Sequence, residues 1–192
     1  MTSRIRIAAA TAGALLLMSA CGADQGAETG KIVAAVPGVD VTAGPVQMQD
    51  LLVPYAADGY PAGADVPLIA RLFNTANETV ELRAVAPGAG AVVNAAPSDE
   101  PALTVAPRDV KLHGSARLPL AVAANECLQL VPPAGPYVLA EGLTAPLNYG
   151  SSVAVRFSFS TGDTVTADIP MAPPDYTPAP APGPSAGPAL CQ

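Results

Sequence analysis

The stretch VAVRFSFSTGDTVTADIP, residues 153–170, decides the fold. Val153, Val155, Phe157 and Phe159 fall on one side of an extended chain, and Ala154, Arg156 and Ser158 on the other, because successive side chains of a strand point to opposite faces. Thr161-Gly162-Asp163 supplies a turn, after which Val165, Ala167 and Ile169 repeat the alternation. The pattern predicts a β-hairpin with one apolar face.

Further apolar stretches, several of them alternating, lie to its N-terminal side: GPVQMQDLLVPY (44–55), ADVPLIARLFNTA (64–76), ETVELRAVAP (78–87), GAVVNA (90–95), DVKLHGSARLPLAV (109–122), ECLQLVPP (126–133) and PYVLAEGL (136–143). Each is bounded by Gly, Pro, Asn or Asp, and no window has the 3.6-residue period of an amphipathic helix. Seven to nine strands at this spacing predict an all-β, antiparallel sandwich over residues 44–171. With no Trp, three Phe and five Tyr, its core must be built mainly from Val, Leu, Ile and Ala. The 22 prolines and 17 glycines suit short strands and turns.

The N-terminus carries a different signal. Arg4 and Arg6 precede an apolar run from Ile7 to Met18, and Ser19 and Ala20 then lead to Cys21. That run is about 12 residues long, whereas a membrane-crossing helix needs about 20, so residues 1–20 read as a cleaved export signal. Met18-Ser19-Ala20-Cys21 resembles the bacterial lipobox, with Met18 where leucine is usual. The resemblance implies that the Cys21 thiol receives a diacylglycerol and that cleavage falls just before it. Two acyl chains hold a protein on a membrane durably, at about 0.8 kcal/mol per buried methylene. Residues 21–43, small, polar or rich in Ala, Val and Gly, read as a tether. The expected location is the outer face of the cytoplasmic membrane.

Removing the signal takes away two of nine basic residues and none of sixteen acidic ones, leaving seven against sixteen. This balance excludes nucleic acid as a partner, since phosphate binding depends on clustered Lys and Arg. It equally disfavours electrostatic docking onto anionic lipid.

If lipid occupies Cys21, two cysteines remain, Cys127 and Cys191. In an oxidising compartment such a pair is expected to form a disulfide. The competing reading makes Cys127 a reactive thiol with His113, the single histidine, as its base, but it leaves Cys191 as a lone thiol near a chain end. Residues 172–192, dominated by Pro, Ala and Gly and without hydrophobic periodicity, read as an extended tail. The disulfide would tie that tail back as a strap.

GPYVLAEGLTAPLNYGSSVAVRFSFSTGDTVTADIPM resembles the closing segment of the periplasmic copper chaperone family called PCuAC, with its G-L-x-x-P-L-x-x-G turn, paired strands and final Ile-Pro. DVPLIARLFNTANETVEL resembles that family's second strand and turn, where an Asn closes the strand. The chain is still more similar to actinobacterial envelope lipoproteins of the LpqE type, which share the signal cysteine, the Tyr-Gly turn and a small-residue tail. These resemblances imply an immunoglobulin-like or cupredoxin-like sandwich. The chaperones hold Cu(I) with a His-x-Met pair in the closing segment plus an upstream His and Met, soft donors suited to a soft ion. The matching positions here carry Tyr137 and Leu139. Met48 and Met171 are the thioethers of the mature chain, and His113 stands near the upstream ligand region. The expectation is a kept scaffold without its metal site.

Other chemistry lacks residues. A serine hydrolase would rest on His113 meeting Ser151 or Ser152, and NYGSSV has no G-x-S-x-G elbow. Zinc lacks sufficient Cys and His. Asp58 with Asp65, and Asp99 with Glu100, form acidic loops without the alternating spacing of a calcium loop. The sequon Asn77-Glu78-Thr79 matters only where a glycosylating pathway exists. Tyr55, Tyr60, Tyr137 and Tyr149 are candidates for a contact surface, or for capping a core poor in aromatics.

These readings together predict a non-enzymatic, lipid-anchored envelope protein without a cofactor. Its sandwich would act as an interaction or structural module toward an envelope protein or ligand. The alternative is a copper-chaperone-like protein with an unconventional site.

Overall fold

In a computed structural model the described residues, 38–89, 92–93, 102–133 and 135–176, form a β-sandwich of two six-stranded sheets. All of them belong to the unit Val36–Gln192. The strands are β1 (Val39–Ala43), β2 (Val46–Leu52), β3 (Val66–Asn74), β4 (Val80–Pro87), β5 (Val92–Val93), β6 (Ala102–Val105), β7 (Pro107–His113), β8 (Leu120–Val122), β9 (Cys127–Leu130), β10 (Tyr137–Leu143), β11 (Ser152–Phe159) and β12 (Thr164–Pro170). No helix occurs among the described residues.

The β11–β12 hairpin forms as its alternation predicts, with Ser152 opposite Pro170 and Ser158 opposite Thr164. Val153, Val155, Phe157, Phe159, Ala167 and Ile169 are all buried. Gly162 takes φ +90°, a left-handed conformation that glycine reaches without steric cost. The turn closes with the Phe159 N–H donating to the Asp163 carbonyl at 2.9 Å.

Each sheet is built on one long strand whose second edge is divided. In the first sheet, ordered β1-β2-β3-β10-β7, β10 takes Val66–Leu68 of β3 while β9 takes Ala70–Phe73. In the second, ordered β5-β6-β11-β4-β8, β12 covers one edge of β11. The other edge is shared by β4 and, at Ser152–Val153, by β6.

The expected all-β sandwich forms, and three details differ from the sequence pattern. Twelve strands are present among the described residues, not seven to nine. The run 109–122 is broken between His113 and Leu120 into β7 and β8, with Gly114 at φ +92° just after β7, and ALTV forms the additional β6. The pairing is not wholly antiparallel, since β6 and β11 run parallel. Finally, β1 occupies the last residues of the stretch read as a tether. Val39 and Val41 pack against the core, Ala43 is buried, and Gly44 at φ +54° followed by Pro45 turns the chain into β2.

Leu68, Ala70, Leu72, Leu130, Val138 and Ala140 from the first sheet join Leu82, Val153, Val155 and Phe157 from the second in one aliphatic core. A bulge in β2 produces a second, outer cluster. Gln49 faces Arg71 but Leu52 faces Ile69, so Asp50, at φ +52°, is the extra residue. The bulge sends Leu51 into the core and Leu52 to the outer face, where it packs with Ile69 and Ala172. It also places the Asp50 carboxylate 3.0 Å from the Arg71 guanidinium.

Asn74, 2% exposed, ends β3. Its Nδ2 lies within hydrogen-bonding distance of the carbonyls of Glu78 (2.7 Å), Val122 (3.0 Å) and Ala123 (3.1 Å), and its Oδ1 accepts from the Ala76 N–H at 2.9 Å. One side chain thereby clamps the turns that follow β3 and β8. Asn74→Ala is expected to cost about 3 kcal/mol, since it orphans several buried backbone groups at once. Chemical denaturation measures the loss.

Candidate functional site

The outward residues of β7 and β10 form the most chemically furnished surface among the described residues. Strand register sets His113 opposite Tyr137, Lys111 opposite Leu139 and Asp109 opposite Glu141. Val110, Val138 and Ala140 point into the core, so the polar residues between them face out. The His113 and Tyr137 rings stack with centroids 5.8 Å apart and planes 30° from parallel. His113 Nε2 lies 3.4 Å from Glu141 Oε1. The Lys111 ammonium donates to Glu141 Oε2 and lies 3.1 Å from Asp109 Oδ2.

The Lys111 hydrogen bond, with help from the Val110 N–H, holds the Asp109 carboxyl below its ordinary range. Lys111 is raised, first by Glu141 and then by Asp109. A lowered carboxyl contributes stability above its unfolded pKa and loses it as pH falls through the folded value. A raised ammonium contributes below its unfolded pKa and loses it as pH rises through the folded one. The Asp109–Lys111 pair therefore keeps both its charges across neutral pH. In carbon-detected NMR titration, Lys111→Met should move the Asp109 transition upward toward the ordinary carboxylate range.

This surface does not fit Cu(I). It offers one imidazole, a phenol and carboxylates, two of them engaged by Lys111, where a soft ion prefers thioether or thiolate. Met48 is fully buried in the core, and Met171 is 4% exposed and bridges to Val53. No group of three or more His, Cys, Asp and Glu able to hold a metal ion occurs among the described residues.

The tyrosines divide between two places. Tyr137 belongs to the sheet face just described. Tyr60 forms an isolated bridge to Leu147, and its hydroxyl donates to the Pro54 carbonyl at 3.1 Å; burial raises its pKa. Beside it Tyr55 and Tyr149 meet edge to face at 6.5 Å. They are the exposed large hydrophobic residues among those described, at 39% and 64%. Sequence pattern singled out these tyrosines but not their pairing, which depends on the Tyr60–Leu147 bridge between loops far apart in the chain.

Of the acidic loops, Asp65 accepts the Gly142 N–H at 2.9 Å and so pins a backbone turn. Asp58 is exposed, and Asp99 and Glu100 lie outside the described residues. Ser152 shares a 3.0 Å hydrogen bond with Thr104, at the β6–β11 junction. Cys127 opens β9 half-buried and is disulfide-bonded; Cys21 and Cys191 lie outside the described residues.

Among solved structures, a copper-bound PCuAC domain from PmoF2 matches with a TM-score of 0.51 at 16% identity, covering 71% of this chain and 99% of that one. The fold is that of the PCuAC domains. An apo PCuAC domain from PmoF1 gives 0.51 at 18% identity, over 70% of this chain and 100% of that one. The apo PmoF2 PCuAC domain gives 0.50 at 16% identity, over 73% and 100%. No family model matches the chain, nor does any curated protein. The likeness to PCuAC domains is therefore one of fold.

Proposed function

We propose that this chain is an exported lipoprotein of the LpqE type, anchored through an acylated Cys21 after loss of residues 1–20. Its PCuAC-like domain is non-catalytic and works by surface contact in the cell envelope. The observation that carries this reading is the pairing of His113 with Tyr137 on an outward strand face while Met48 and Met171 sit in the core. A PCuAC-type fold is thus furnished with hard or engaged donors where a copper carrier needs soft, accessible ones. The Tyr55–Tyr149 pair supports a contact role, since tyrosines bring apolar area and a polar tip to an interface at low entropic cost. The disulfide-bonded state of Cys127 supports its pairing with Cys191 and a tail tied back to the domain.

The test uses protein purified from membranes. Intact mass is expected to match a chain starting at Cys21 and carrying acyl groups. Anaerobic Cu(I) titration is expected to show no tight stoichiometric binding. One tightly held equivalent, lost on His113→Ala, would instead establish the second reading, a copper-handling protein with an unconventional site, which the named function of the structural neighbours favours.

A further inference from the structure

The outer face of the first sheet has two unlike halves. Over β10 and β7 it carries the Lys111, Glu141 and His113 network. Over β2, β3 and β9 it carries Leu52, Ile69, Arg71, Phe73, Gln129 and Cys127, placed there by the alternation that sends Leu68, Ala70, Leu72 and Leu130 into the core. An outward sheet face should be wet, yet this half is largely dry. Leu52 is fully buried and Ile69 nearly so, the Asp50 and Arg71 side chains are each only 17% exposed, and Gln129 Oε1 is buried without a hydrogen-bond partner.

The chain leaving β12 begins to cover it. Ala172 donates to the Val53 carbonyl at 2.7 Å and is buried against Leu52 and Ile69. Because Met171 runs parallel to Val53, a straight continuation would leave the sheet past the end of β2. A turn prevents this: the Tyr176 N–H donates to the Pro173 carbonyl at 3.1 Å. Tyr176 packs back onto the Leu52–Ile69–Val131 patch.

We propose that residues 177–191 continue this reversal, docking within the same molecule across the outer face over Ile69, Arg71 and Phe73 and ending at Cys127. The inference rests on the tied-back tail proposed above and names the face that receives it. Length permits the path, because Ile69 to Phe73 spans about 13 Å of strand while fifteen residues of polyproline-type chain reach about 45 Å. The sequence suits it as well. Pro178, Pro180, Pro182 and Pro184 alternate with Ala179, Ala181, Gly183 and Ser185, giving a stiff ribbon that loses little entropy on docking and keeps N–H donors at every second residue. The strap then closes the β2–β3–β9 half and leaves the β10–β7 half open.

The test uses the full mature chain with Cys21→Ser to keep it soluble, isotope-labelled for NMR, alongside peptide mapping of its disulfide. Expected are nuclear Overhauser contacts from the alanines and prolines of 178–184 to the Ile69 methyls and the Phe73 ring, present within single molecules in a mixed labelled and unlabelled sample. A mapped Cys127–Cys191 bond without such contacts, with tail shifts at random-coil values, overturns the docking but not the disulfide. Contacts that persist in Cys191→Ser support docking even if the mapped disulfide is absent. Contacts only between labelled and unlabelled molecules show a second copy's tail on the face and overturn the intramolecular strap.

Discussion

Truncating Phe157 to alanine is expected to cost about 4 kcal/mol of folding stability, in the range of roughly 3–5 kcal/mol for losing a fully buried aromatic ring. Phe157 is the largest fully buried side chain among the described residues, and it stands at the centre of β11 between β12 and β4. The surrounding core is close-packed and mainly aliphatic, so its side chains can relax only in part into the void. The lost transfer energy and the residual cavity therefore add. For a domain of this size the melting temperature should fall by about 15 °C. Phe157→Leu should cost far less, and the exposed Arg156→Ala, one residue away on the opposite face, should change stability by less than about 0.5 kcal/mol. A flat response at Phe157 would contradict the packing of the two sheets.

Replacing Cys191 by serine is expected to cost about 4 kcal/mol, because the proposed bond to Cys127 closes a loop of about 65 residues and narrows the unfolded ensemble accordingly. The decisive comparison is reductant. It should lower the denaturation midpoint of the parent chain to that of Cys191→Ser while leaving the variant where it is. If the two chains unfold together under oxidising conditions, the pairing is wrong. If Cys191→Ser is also less stable than the parent under reducing conditions, the serine acts through something other than the bond.

How far the sequence could be read depended on whether a feature was local. The β11–β12 hairpin was legible because four alternating apolar residues, a glycine turn and three more alternating residues fit a single register. VDVTA was not, because two valines among Gly, Ala and Pro do not separate a strand from a linker until Leu51 and Met48 are in place to pair with them. The split of 109–122 stayed hidden because its apolar spacing continues across Gly114–Pro119, where the backbone leaves the sheet. Tyr137 and Leu139 could be picked out as replacements for copper ligands by resemblance, yet only strand register sets His113 against Tyr137. Asn74 could be identified as the end of a strand, whereas its clamp on Val122 and Ala123 spans 48 and 49 residues and has no local signature. The bulge at Asp50 had no precursor in the pattern at all.

The hairpin of β1 and β2 has a geometric corollary for an anchored protein. Val39 lies opposite Leu51, so the polypeptide enters the sandwich at the end from which β2 departs toward Tyr55. Seventeen residues separate Cys21 from Val39; were they to act as the proposed tether, a coil of that length would reach roughly 20–25 Å. If Cys21 carries the proposed anchor, the Tyr55–Tyr149 pair stands at the pole of the sandwich where the chain enters, and its partners would be molecules that rise no more than a few nanometres from the bilayer.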